Sequence, residues 1–163
     1  MIKKKVCLLG AFGVGKTSLV RRFVYSMFDE RYHSTIGVKT DKKEIEIDGT
    51  PVVMILWDIA GEEAFHQIPD SYLTGASGCF LVVDGTRPET LETGRGILAR
   101  TRKILGEAPH CFLLNKADLT NQWRLPPDVE ANLATDGSPL FKTSAKTGAG
   151  VDAAFRHLAS QML

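Results

Sequence analysis

The 163-residue chain has no run approaching the ~20 apolar residues that a membrane-spanning helix requires, so no span is expected. It has almost no net charge, +1 from 20 basic and 19 acidic side chains. Without a basic surplus there is no electrostatic footprint for nucleic acid or an anionic membrane, and no nucleic-acid partner is expected. The Lys3-Lys4-Lys5 run is short and reads as a solvated strand start. The three cysteines, Cys7, Cys79 and Cys111, are odd in number and each lies in an apolar run. They exclude a disulfide frame and suit buried small hydrophobes in a reducing, cytoplasmic compartment. Repeats, low-complexity tracts and linkers are missing, so one domain over residues 1–163 is expected, long enough to bury a core without staples. The start lacks the pattern of a signal peptide. The chain begins Met1-Ile2 and ends Ser160-Gln161-Met162-Leu163, which offers no acceptor for myristoyl or prenyl groups. The expectation is a chain without an anchor of its own, either trimmed of a tail or working without one.

What is present is an alternation of apolar runs and helical patterns, which argues for an α/β fold around a mostly parallel sheet. Lys5–Leu9, Gly78–Asp84 and Cys111–Leu114 are continuous apolar runs, the signature of strands covered on both faces, and Leu140–Thr143 is a weaker one. Lys39–Ile47 instead alternates polar and apolar, then Asp48-Gly49 leads into Pro51–Trp57. An Asp-Gly pair between two such runs predicts a hairpin, hence one antiparallel strand. Leu19, Val20, Phe23 and Val24 form a helical stripe, as do Val151, Ala154, Phe155, Leu158 and Met162. Thr86-Arg87-Pro88-Glu89 fits a capping box opening a helix to about Leu105. Gly94 and Gly96 inside that helix cost roughly 1 kcal/mol each against Ala, which close packing would explain.

Five motifs carry chemistry. Gly10–Thr17, GAFGVGKT, matches G-x-x-x-x-G-K-[ST] between a strand and a helix. Its backbone N–H groups, over Gly13, Val14, Gly15 and on to Ser18, cradle phosphates with the help of the helix N-terminus. Lys16 would reach the β- and γ-phosphates and the Thr17 hydroxyl would bind Mg²⁺. Asn115-Lys116-Ala117-Asp118 follows an apolar strand. The Asp118 carboxylate can accept from the ring N–H and the exocyclic amine of guanine, a donor pair that adenine lacks, and such pairing discriminates steeply. Asn115 and Asp118 alone also suit a turn and a cap. Thr143-Ser144-Ala145-Lys146 follows the next strand; the Ala145 N–H can meet a carbonyl on the base, while Ser144 alone also suits a helix cap. Asp58 in Trp57-Asp58-Ile59-Ala60-Gly61 can hold a Mg²⁺-bound water and the Gly61 N–H can meet the γ-phosphate. Thr35, in the polar stretch Tyr32–Gly37, can supply a second hydroxyl to Mg²⁺, an ion that prefers near-octahedral oxygen.

Together and in this order, the motifs resemble those of the small GTPases of the Ras superfamily, with Rab-like character around Tyr32–Val38. The resemblance spans nearly the whole chain. It implies a six-stranded sheet, five helices, and a GTP/GDP switch with Mg²⁺ whose segments Tyr32–Val38 and Asp58–Tyr72 are read by effector, activator and exchange proteins. It also implies that Phe28 stacks on the guanine, although simple core packing suits Phe28 too. A nucleotide kinase would need an arginine-rich lid and no guanine motif, so Asn115–Asp118 argues against one.

Three residues depart from the family pattern, of which Ile59, in place of a common Thr, matters least. Glu62 stands where Gln usually orients the attacking water; a carboxylate can accept a proton there, but its charge would face the γ-phosphate. Phe12 stands in the phosphate loop, where many relatives keep a small residue. Two readings stay open: Phe12 screens the approach of a partner's arginine, worth roughly 10³–10⁵ in rate, or it packs against the switch segments. Lys16, Thr35, Gly61 and Glu62 are thus the candidate catalytic set. Hydrolysis is expected to be slow without an activator, the alternative being a GTP/GDP-binding scaffold with negligible turnover. Arg31 is not aimed at phosphate by anything in the sequence, and His33 and His66 read as solvated.

Overall fold

A computed structural model describes residues 1–30, 35–62 and 67–163. Arg31, Tyr32, His33 and His66, named above, lie outside the described residues. The six strands are β1 (Ile2–Gly10), β2 (Val38–Ile47), β3 (Thr50–Ile59), β4 (Gly78–Asp84), β5 (His110–Asn115) and β6 (Leu140–Lys142). The helices are α1 (Lys16–Tyr25), α2 (Asp70–Leu73), α3 (Glu89–Leu105), α4 (Val129–Thr135) and α5 (Val151–Gln161). The strand order is β2-β3-β1-β4-β5-β6, and only β2 with β3 is an antiparallel pair. This is the mostly parallel α/β sheet that the sequence predicts.

The apolar runs become the central strands because both of their faces are covered. Val6 and Leu8 point to one side, with Leu56, Phe80 and Val82, where α1 and α5 bring Leu19, Phe23, Val151 and Leu158. Phe155 of α5 stacks on Phe23 of α1 at 4.2 Å and lies 4.6 Å from Phe80. Cys7 and Leu9 point to the other side, with Leu81 and Val83, under Leu91, Ile97 and Leu98 of α3 and Leu133 of α4. Cys79 lies with Cys7 on this side and Cys111 on the α1/α5 side; all three are free and buried, with burial pushing their thiols up to about 11 to 12, which keeps them inert.

The β2–β3 hairpin closes at Asp48-Gly49, both with positive φ (48° and 82°), and Ile47 pairs with Thr50. That is the two-residue turn an Asp-Gly pair favours. Lys5, the last of the lysine run, lays its ammonium 3.6 Å from the Trp57 ring centre and donates to the Thr74 carbonyl.

The capping box at Thr86 does not form. The Thr86 hydroxyl donates to Asp84 Oδ1 at 2.6 Å, and α3 starts later, with Pro88 at its N-cap. Thr90 ties the first turn instead: its Oγ1 accepts from the Asp84 N–H and donates to the Arg87 carbonyl. Gly94 faces the sheet, where a methyl group would lie 3.6 Å from Phe112 and Val83, while at Gly96 it would meet nothing within 4 Å. Close packing therefore does not explain Gly96.

Because the chain turns from β1 toward β3 on one side and β4 on the other, a crevice opens beyond the carboxyl ends of the strands, lined from the segments after β1, β3, β5 and β6. Such a switch point is the usual ligand site of an open α/β sheet.

Candidate nucleotide site

The crevice is a cleft of about 340 Å³. Of the expected residues, Gly13, Gly15, Lys16, Thr17, Ser18, Phe28, Thr35, Gly61, Asn115, Lys116, Asp118, Ala145 and Lys146 line it. Phe12, Asp29, Glu30 and Leu119 complete the wall. Four expected residues sit elsewhere. Val14 is fully buried in the core, Ser144 and Asp58 are buried behind the wall, and the Glu62 side chain points away toward α3.

The loop from Gly10 to Gly15 presents its N–H groups because its carbonyls are held on the other side. Arg87 Nη1 donates to the Phe12 carbonyl (2.9 Å), Lys116 Nζ to Gly13 (3.1 Å) and Asn115 Nδ2 to Val14 (3.0 Å). Three consecutive carbonyls are thus captured by side chains from two distant turns. Gly15 is required at its position: its φ is +103°, and a Cβ would sit 2.4 Å from Asn115 Nδ2. Directly after it α1 begins, so the positive end of that helix faces the cleft.

Lys116 itself has φ 67°, an uncommon backbone for a residue with a Cβ. Its ammonium lies 2.8 Å from Asp84 Oδ2, a carboxylate with no exposure, and Arg87 lies 3.8 Å from the same oxygen. Asp84 therefore holds two of the three groups that grip the loop. Asn115 is buried and also accepts from Thr143 Oγ1 at 3.0 Å, which links β5 to the segment after β6.

Asp118 and Ser144 meet at one end of the cleft. The Ser144 hydroxyl donates to Asp118 Oδ1 at 2.8 Å and accepts from the Thr147 N–H, so it orients the carboxylate and its own loop together. Arg22, on α1, donates to the carbonyls of Ala145 and Lys146. That leaves the Ala145 N–H on a loop pinned from behind. Phe28 stays 36 % exposed, an apolar face on the cleft.

At the other end Thr17 Oγ1 lies 2.8 Å from Thr35 Oγ1 and donates to Asp58 Oδ2 at 2.6 Å. Asp58 Oδ1 is buried with no hydrogen-bond partner among the described residues. Burial pushes the Asp58 carboxyl up, opposed by the Thr17 hydrogen bond and by Lys16. Burial likewise lowers Lys16 to about 8, with the Asp58 charge opposing. Lys16 Nζ donates to the Ala11 carbonyl at 3.1 Å. Two hydroxyls beside a carboxylate with a spare buried oxygen form an all-oxygen donor set of the kind Mg²⁺ accepts.

Gly61 packs on the phosphate loop so closely that a Cβ would lie 2.3 Å from the Phe12 Cα. The Glu62 N–H donates to the Gly10 carbonyl at 3.0 Å. The Glu62 carboxylate, 13 % exposed, pairs at 2.8 Å with Arg100 of α3. Sequence reasoning missed Arg22, Asp84, Arg87 and Arg100. All four act on segments far along the chain, contacts that no local pattern encodes.

The sequence model of the Ras family matches residues 5–163. Among curated relatives, the Ras-related protein Rab-7b of Bos taurus is 37 % identical over 164 residues, covering 98 % of this chain and 82 % of the relative. Its counterpart in Mus musculus is 34 % identical over 163 residues, with the same coverage. With the sheet order, the glycine-rich loop and the Asn115–Asp118 motif gathered at one cleft, the chain belongs to the Ras family, as a Rab-like small GTPase of the GTP-binding switch type.

Proposed function

We propose that the 163 residues form one G domain that binds GTP or GDP in this cleft together with Mg²⁺ and hydrolyses GTP slowly. The observation that carries the proposal is the convergence of Lys16, Thr17 and Asp118 on one cleft. Asp118 accepts from the guanine edge, with Ser144 fixing its orientation and the Ala145 N–H meeting the base carbonyl. Phe28 covers the base. The N–H groups of Gly13, Val14, Gly15 and Ser18 and the Lys16 ammonium bind the phosphates. Mg²⁺, carried by Thr17 and Thr35 with Asp58 behind them, would supply charge neutralisation between the β- and γ-phosphates. Gly61 offers its N–H toward the γ-phosphate, so the segments around Thr35 and Gly61 respond to the nucleotide. Effector, activator and exchange proteins would read the segments 32–38 and 58–72.

Slow turnover follows from Glu62. Its carboxylate is engaged with Arg100 and does not line the cleft, so Glu62 does not take the place from which a side chain orients the attacking water. The same pair favours a second reading, a GTP-bound scaffold with negligible hydrolysis. Phe12 lines the cleft with Thr35 and Gly61 while 38 % exposed, which supports a screen against an incoming arginine.

The test is single-turnover hydrolysis by GTP-loaded protein, followed by chromatography, beside Glu62→Gln and Phe12→Gly. Slow, complete conversion by the wild type is the expected result. GTP held intact by the wild type and consumed by either variant would replace it with the scaffold. Asp118→Asn is expected to weaken GTP and favour xanthine nucleotides; unchanged GTP affinity there would overturn the base assignment.

A further inference from the structure

Arg100 stands on α3, 38 residues beyond Glu62 in the chain, yet its Nη1 donates to Glu62 Oε1 at 2.8 Å. Its Nη2 reaches the Ile68 carbonyl at 3.4 Å, so one side chain fastens the chain at 62 and again at 68 to α3. Both partners are largely withdrawn from water, 26 % and 13 % exposed. The pair is nevertheless incomplete: Glu62 Oε2 and Arg100 Nε are buried and find no hydrogen-bond partner among the described residues.

The position of Glu62 makes this pair consequential. Its N–H is tied to the Gly10 carbonyl, and its neighbour Gly61 lines the cleft against Phe12. A carboxylate rooted there and released from Arg100 would be free to turn toward the end of the cleft where the γ-phosphate is read. One more negative charge at that point opposes a nucleoside triphosphate more than a diphosphate, because only the former carries the terminal phosphate. Paired with a guanidinium, the carboxylate contributes almost no net charge.

We propose that Arg100 is a specificity-determining residue: by holding the Glu62 carboxylate in a neutral pair on α3, it sets the preference of the cleft for GTP over GDP. This rests on the nucleotide reading above. Arg100 does not line the cleft and acts on the nucleotide preference through Glu62, its bond to the Ile68 carbonyl being a second anchor of the same segment. Its role differs from those of Arg87 and Lys116, which shape the loop that both nucleotides share.

The experiment compares dissociation constants for GDP and a non-hydrolysable GTP analogue in the purified chain. The variants are Arg100→Gln, Arg100→Lys, Glu62→Asp and the double variant Glu62→Gln/Arg100→Gln. Arg100→Gln is expected to lower the GTP-to-GDP affinity ratio by roughly fivefold or more, the size of one unneutralised charge in a half-buried site, while GDP affinity stays near the wild-type value. The double variant, with no carboxylate to neutralise, is expected to recover the wild-type ratio, and Arg100→Lys to keep most of it. A purely structural role would weaken both nucleotides alike and would not be relieved by Glu62→Gln. Should Arg100→Gln fail to fold, Glu62→Asp decides, since it keeps the charge but shortens the reach to Arg100 and is expected to shift the ratio the same way. An unchanged ratio in Arg100→Gln or Glu62→Asp, or a shift that survives in the double variant, overturns the proposal. Wild-type protein that binds neither nucleotide overturns the function itself, a result distinct from normal binding with an unmoved ratio.

Discussion

The Arg87 guanidinium donates to the backbone carbonyl of Phe12 at 2.9 Å, joining the turn after β4 to the phosphate loop. This bond explains how the loop tolerates so large a residue. The backbone at Phe12 is held from outside by Arg87, while its side chain is 38 % exposed at the wall of the cleft. The next two carbonyls are held in the same way by Lys116 and Asn115.

Arg87→Met should therefore loosen the cradle for both nucleotides. The side chain is 40 % exposed, so solvent screens part of the bond, leaving about 1 kcal/mol. Dissociation of fluorescent GDP and of a GTP analogue should each speed up by roughly fivefold, with their ratio unchanged. A selective loss of one nucleotide would contradict this account.

Lys16 should make nucleotide binding depend on pH. In the free protein burial lowers its pKa from 10.5 to about 8. Below about pH 8 the lysine is charged in both folded and unfolded chains, and its burial costs stability. Between about 8 and 10.5 the folded protein has released a proton that the unfolded chain still holds, so this cost fades as pH rises. Phosphates stabilise the charged form. Nucleotide binding above about pH 8 should take up a proton, and affinity should fall by up to about tenfold per pH unit there. Calorimetry in two buffers of different ionisation enthalpy measures the uptake directly; no uptake at about pH 9 would refute the lysine's role.

Gly96→Ala should stabilise the fold. The residue is inside α3, and an added Cβ meets nothing within 4 Å. The gain should be about 0.5–1 kcal/mol, seen as a rise in Tm of roughly 1–4 °C by thermal melting. Gly61→Ala, whose Cβ would lie 2.3 Å from the Phe12 Cα, provides the contrast and should disrupt the loop contact.

Much of the fold is legible because its signals are local. Continuous apolar runs become β4 and β5, the alternation before Asp48-Gly49 becomes β2, and the stripe ending at Met162 becomes α5. Each depends on neighbours a few residues away, through strand and helix periodicity or the φ angles a turn demands. Local reasoning fails at Thr86. A hydroxyl two residues from Asp84 bonds that carboxylate and not the helix start, because Asp84 is already the buried hub for Lys116.

The strands, the helices α1, α3 and α5, and the glycine-rich and Asn115–Asp118 motifs were legible along the chain, since each is a contiguous pattern with its own chemistry. Only the tertiary structure decided what stands behind them. Arg22 meets the Ala145 carbonyl across 123 residues, Arg87 meets Phe12 across 75, and Glu62 faces Arg100 across 38. No spacing rule encodes such pairs. They exist because parallel strands deliver distant loops to one edge of the sheet, where long cationic side chains find the carbonyls and the carboxylate left there.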